Sequence, residues 1–197
     1  YRNPAIILAD GVIGQMMEKV VLPEQRPRLT NEEVMARCPW ATFGKLKHRG
    51  PNIVTSLELD PAEMEKRNIH LQQKYAEIEE KEVRYEEIHC DDAEYLIVAF
   101  GSCARIAQKA MEEARAEGIK VGLLRPITLW PFPSKAIAER SRQVKGILTV
   151  ELNAGQMVED VRLAVECKVP VEYFGRLGGI VPDPDEVVTA LKEKIIK

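Results

Sequence analysis

Three arginines occupy positions suited to holding an anion. Arg105 follows Gly101-Ser102-Cys103-Ala104, Arg125 opens the run Arg125-Pro126-Ile127-Thr128-Leu129-Trp130-Pro131-Phe132-Pro133, and Arg176 lies in Gly175-Arg176-Leu177-Gly178-Gly179. A guanidinium presents forked donors that match a carboxylate or phosphate, and glycine lets a ligand or a neighbouring backbone come close. A second polar group, Glu151, Asn153 and Gln156, stands in Glu151-Leu152-Asn153-Ala154-Gly155-Gln156. Each of these segments comes directly after an apolar run. Two uses fit them. They can capture an anion such as part of coenzyme A, or they can turn the chain and pack against another protein, with Glu151 accepting an arginine. Loop edges of this kind build interfaces as often as pockets, and the interface is the preferred reading.

Other chemistry has little support. There is no G-x-G-x-x-G after an apolar run, no Walker loop and no G-x-S-x-G elbow. His48, His70 and His89 all precede the regular part of the chain, in irregular or acidic surroundings, and read as surface histidines. Cys38, Cys90, Cys103 and Cys167 are too far apart to preform a zinc or iron–sulfur site, so they read as free buried thiols in a reducing compartment. No catalytic residue and no metal ligand is assigned.

The elements that position the arginines are clear from Tyr95 onward. Apolar runs at Tyr95 to Phe100, Ile119 to Leu124, Gly146 to Glu151 and Val171 to Phe174 alternate with amphipathic stretches of ten to fifteen residues. That alternation predicts about four parallel strands joined by crossover helices, in a three-layer α/β sheet covered on both faces. In such a sheet, ligands and loops gather at the carboxyl ends of the strands. Ser102 is expected to cap the first helix, whose apolar face is Ile106, Ala107, Ala110, Met111 and Ala114, with Gly118 ending it. Asp183, Pro184 and Glu186 form a capping-box-like start to the last helix, ahead of Val187, Val188, Leu191 and Ile195.

Upstream the character changes. Between residues 62 and 94 there are eleven acidic and five basic side chains, predicting a solvated helix from Pro61 to Lys81 and then a possible antiparallel edge strand within Glu82 to His89. Residues 21 to 60, with scattered prolines and little periodicity, read as an extended linker. Ala5 to Ala9 reads as a buried strand, Asp10-Gly11 as a turn and Val12 to Met17 as the start of a helix. One strand and one short helix cannot bury each other, so this piece is expected to be the tail of a larger domain, and the chain, which opens on Tyr1, a fragment.

With 197 residues, 45% of them hydrophobic, the chain can build one domain with a sizeable core. Its net charge of -3 offers no basic field for nucleic acid, and no apolar run is long enough for a membrane span or shaped like a signal peptide. A cytoplasmic location is expected.

The same segments resemble the alpha subunit of 2-oxoacid:ferredoxin oxidoreductases, most closely the 2-ketoisovalerate (3-methyl-2-oxobutanoate) type. The likeness rests on Tyr1 to Leu8, Asp10 to Glu18, Arg125 to Pro133, Glu151 to Gln156, and Gly175 to Gly179 with Pro182. It implies that residues 1–20 are a remnant of a thiamine diphosphate pyrimidine-binding domain, 21–82 a linker with an acidic helix, and 83–197 a transketolase C-terminal-like domain. It also implies that the glutamate activating the aminopyrimidine lies before Tyr1. Thiamine diphosphate, Mg2+, iron–sulfur clusters and coenzyme A belong to the complete complex, with none expected on this piece. Beta, gamma and ferredoxin-like subunits and ferredoxin are the implied partners. The implied reaction is oxidative decarboxylation of a branched-chain 2-oxoacid to acyl-CoA. Arg105, Arg125, Glu151, Asn153, Gln156 and Arg176 are then candidates for a subunit interface or an anion site. Two alternatives stand beside this reading: a free-standing anion or coenzyme A-binding module without catalysis, and a purely architectural oligomerisation domain.

Overall fold

A computed structural model describes residues 1–41 and 50–196. Contacts divide it into two compact units, Met17–His70 on one hand and Tyr1–Met16 with Leu71–Lys197 on the other. In chain order the elements are α1 (Gly11–Gln15), α2 (Asn31–Arg37), α3 (Pro61–Lys81), β1 (Tyr85–Ile88), β2 (Tyr95–Ala99), α4 (Gly101–Ala116), β3 (Val121–Pro126), α5 (Ser134–Arg140), β4 (Ile147–Glu151), α6 (Met157–Val165), β5 (Val171–Gly175) and α7 (Pro184–Leu191), which runs on into a π turn at Lys192–Ile196.

The sheet has the order β1-β3-β2-β4-β5. β3, β2, β4 and β5 pair in parallel, as expected, and β1 joins β3 antiparallel at the edge. Side-chain alternation along β2 shows why both faces must be covered. Ile97 and Ala99 enter one core with Leu123, Leu148, Ala107 and Met111 of α4 and Val187 and Leu191 of α7. Leu96 and Val98 enter the opposite core with Leu124, Ile147, Ile137 of α5 and Val158 and Val161 of α6. Each buried leucine, isoleucine or valine contributes on the order of 1.5–3 kcal/mol relative to exposure, so a strand apolar on both sides is stable only between two helical layers. Gly122 is required for packing. A Cβ there would lie 2.9 Å from the His89 carbonyl oxygen and 3.0 Å from the Cys90 Cα.

β1 is tied down by charge. Arg140 donates to both Glu87 carboxylate oxygens at 3.0 and 2.5 Å, and to Asp91 at 3.0 Å. The Glu87 and Asp91 carboxylates hold the Arg140 guanidinium well above its ordinary range. Gln143 adds a 2.6 Å bond from its side-chain amide to the Cys90 carbonyl.

Several expectations are corrected. Ala5 to Ala9 forms no strand, because no neighbouring strand supplies ladder partners; Ile6, Ile7 and Leu8 are exposed. Within 21–60, Thr30 and Glu33 close a capping box on α2, a start signal of the S/T-x-x-E type that the prolines obscured. Cys38 is half-buried and Cys167 exposed, while Cys90 and Cys103 are buried as expected. His48 lies outside the described residues; His70 and His89 are exposed. The helix α3 and the capping box of α7 have the predicted bounds and residues.

At the other edge, β5 turns the Val171 and Tyr173 carbonyls outward, since Ile147 N–H binds Pro170 O at 2.9 Å and the Thr149 hydroxyl binds Glu172 O at 3.2 Å on the inner side. Those outward carbonyls accept from Arg162 of α6 at 3.2 Å and from Lys194 of the π turn at 2.7 Å. Cations seated on an edge strand block its pairing with another strand. The double variant R162A/K194A is expected to self-associate with rising concentration in light scattering after size exclusion, while the parent chain is expected to elute independently of concentration.

Candidate functional site

Because the four parallel strands share one direction, all four candidate segments lie at one rim, at the carboxyl ends of β2, β3, β4 and β5. The order β3-β2-β4-β5 reverses between β2 and β4, which makes that gap the switch point where ligands of open α/β sheets bind. Two carboxylates flank it.

The first is Glu151, the last residue of β4. It is fully buried and takes no arginine. Its oxygens accept the backbone amides of Gln156 at 3.2 Å, Met157 at 2.8 Å and Val158 at 2.9 Å. These are the free amides that begin α6, so the glutamate side chain substitutes for the missing cap of that helix. Asn153 folds the intervening turn by accepting from Gly155 N–H at 2.7 Å, and the Tyr173 hydroxyl donates to the Asn153 carbonyl. Tyr173 packs against Gly155 and Gly175, where any added Cβ would meet its ring or hydroxyl. Gln156 is exposed at the helix start.

The second is Asp10. Ser102 does not cap α4, whose N-terminal flanking residue is Phe100 without a side-chain bond. Its hydroxyl instead donates to Asp10 Oδ2 at 2.6 Å, while Asp10 Oδ1 accepts from Ile13 N–H at 2.8 Å and caps α1. The Ser102 hydroxyl first, then the Ile13, Val12 and Ser102 amides, hold the Asp10 carboxyl below its ordinary value. Gly101, at φ +57°, makes the tight entry that brings Ser102 to the gap. Beside both carboxylates, Cys103 is buried. Burial first, and then Glu151 and Asp10, push its thiol up to about 11, which disfavours the thiolate at neutral pH.

The arginines are dispersed along the rim and engaged. Arg125 bonds Glu86 of β1 at 3.2 Å, and Arg176 bonds Glu186 of α7 at 2.8 Å. Arg176 also donates its backbone N–H to the Glu151 carbonyl at 3.2 Å, which ties the β5 exit to β4. Arg105 is exposed and lies 3.9 Å from the Met16 sulfur. Structure therefore brings Glu151, Asn153, Gln156 and Arg176 together, and places Arg125 at the end of β3 and Arg105 in the first turns of α4. The β3 exit is held by Thr128, whose hydroxyl donates to the Pro131 carbonyl at 2.7 Å and accepts from Arg84 N–H at 3.0 Å, with Trp130 edge-on to Tyr75. Among the described residues, no group of three or more His, Cys, Asp or Glu side chains is placed to hold a metal ion. A shallow hollow lined by Arg162, Val165, Cys167 and Pro170 lies at the start of β5, the end of the strands away from the rim.

Sequence reading did not single out Asp10, Tyr173, Glu86 or Glu186 as part of this rim. The signal for Asp10 was an Asp-Gly step three residues before Ile13, an N-cap pattern; the others face their partners only through tertiary contacts.

Two outcomes follow from these carboxylates. E151A leaves two buried amides and one part-buried amide without acceptors and is expected to cost about 3 kcal/mol; E151Q, which keeps one acceptor oxygen, should cost less, both read by urea unfolding. For Asp10 the folded carboxyl is depressed, so its contribution is fully present above the ordinary aspartate value of about 3.9 and is lost as pH falls through the lower folded value. The stability difference between parent and D10N is therefore expected to be flat from about pH 7 to 5 and to shrink below about pH 4, in unfolding followed by circular dichroism.

Comparison with known proteins meets this geometry from a different direction. The family described as pyruvate:ferredoxin oxidoreductase core domain II matches residues 93–187. Ketoisovalerate oxidoreductase subunit VorB of Methanothermobacter thermautotrophicus is 46% identical over 193 residues, covering 98% of this chain and 53% of that subunit. The 2-oxoglutarate synthase subunit KorA of Archaeoglobus fulgidus is 30% identical over 186 residues, 93% of this chain and 51% of that subunit. Among solved structures, the 2-oxoglutarate:ferredoxin oxidoreductase from Magnetococcus marinus superposes with a TM-score of 0.61 at 24% identity, over 69% of this chain and 24% of that one, a likeness of fold alone. The chain spans about half the length of the curated relatives it matches. By its sequence along almost its full length, and by its parallel sheet, the chain belongs to the 2-oxoacid:ferredoxin oxidoreductase family.

Proposed function

We propose that the chain is part of the alpha subunit of a multi-subunit 2-oxoacid:ferredoxin oxidoreductase and serves assembly there instead of catalysis. The complete complex oxidatively decarboxylates a branched-chain 2-oxoacid to acyl-CoA and passes electrons to ferredoxin, with beta, gamma and ferredoxin-like subunits as partners. The branched-chain substrate is supported by the contrast between 46% identity to a ketoisovalerate subunit and 30% to a 2-oxoglutarate one. Domain boundaries follow the same proposal, with 1–20 belonging to a preceding pyrimidine-binding domain, 21–82 a linker and 83–197 the α/β domain. Free cysteines accord with a reducing, cytoplasmic compartment.

One observation carries the assembly role. The helix N-termini that give such a rim its affinity for anions are already supplied with carboxylates from the chain itself: Asp10 beside α4, Glu151 at α6 and Asp183 at α7. Two of the three arginines are likewise matched to Glu86 and Glu186. A phosphate entering the gap between β2 and β4 would meet two carboxylates. The diphosphate of thiamine diphosphate and the phosphates of coenzyme A therefore do not fit the residues present, and no reaction step is assigned to them.

The test has two arms. The chain, co-expressed with beta and gamma subunits of a ketoisovalerate oxidoreductase, is expected to co-purify with them, and calorimetry of the isolated chain with coenzyme A or 2-ketoisovalerate is expected to give no saturable heat. Failure to co-purify overturns the assembly role, and saturable heat with coenzyme A favours the free-standing binding module.

A further inference from the structure

We draw no further inference here: the strongest candidate, the patch of exposed apolar side chains Ile127, Trp130, Leu177, Ile180 and Val181 after β3 and β5, belongs to the rim already described, and nothing in the structure shows what covers it.

Discussion

Everything at the rim depends on a single buried carboxylate accepting three backbone amides. A glutamate with no exposed surface is costly unless its oxygens are fully bonded, and Glu151 meets that condition only when Gln156, Met157 and Val158 are in the first turn of a helix. The side chain therefore dictates both where α6 begins and how the chain leaves β4. Asn153, Gly155 and Tyr173 then have one arrangement available, and the Arg176 amide bonds the Glu151 carbonyl to set the exit of β5. Two strand exits of the sheet are fixed by the requirements of one residue.

This constraint bears on the two chemistries that the residue types left open. Arginines and helix ends at a parallel-sheet rim are the ingredients of an anion site, and by composition alone an anion site was a fair expectation. What composition cannot reveal is whether those charges are already answered. Glu86 comes from β1, 39 residues from Arg125, Asp10 is 92 residues from Ser102, and Glu186, though nearer in sequence to Arg176, meets it only because α7 folds back beside the β5 exit. Part of that attraction is used internally, by the Glu86 and Glu186 partners of Arg125 and Arg176.

Legibility of the sequence followed the same division between local and distant signals. β2, β3 and β4 were readable because strands buried on both faces are apolar at most positions, β5 from its shorter run of Val171, Tyr173 and Phe174, and α7 because Asp183, Pro184 and Glu186 state its start within four residues. The solvated helix α3 was readable from its charges and from Asp60, whose side chain accepts the Ala62 and Glu63 amides. Ser102 misled because a serine beside a helix start satisfies the cap pattern whether it accepts an amide or donates to a distant aspartate. Ala5 to Ala9 misled in another way: its composition is that of a strand, yet a strand needs a neighbour to exist, and the structure supplies none.

The distribution of exposed apolar side chains extends the argument about the rim. The faces of the sheet are covered, and Arg162 and Lys194 sit on the open edge at β5, so both are poor places for another protein to add itself. Yet Ile127 and Trp130 after β3, and Leu177, Ile180 and Val181 after β5, stay between 41% and 58% exposed. Leu163 on the outer side of α6 is exposed away from the rim, and Tyr85 of β1 is exposed opposite Pro126. The turn after β3 is held by the Thr128 hydroxyl and the one after β5 by the bond from Ile180 N–H to the Leu177 carbonyl, and a preorganised apolar surface associates at lower entropic cost than a mobile one. A rim with two of its three arginines paired to glutamates and with apolar side chains exposed beside them is the feature on which the proposed assembly role rests.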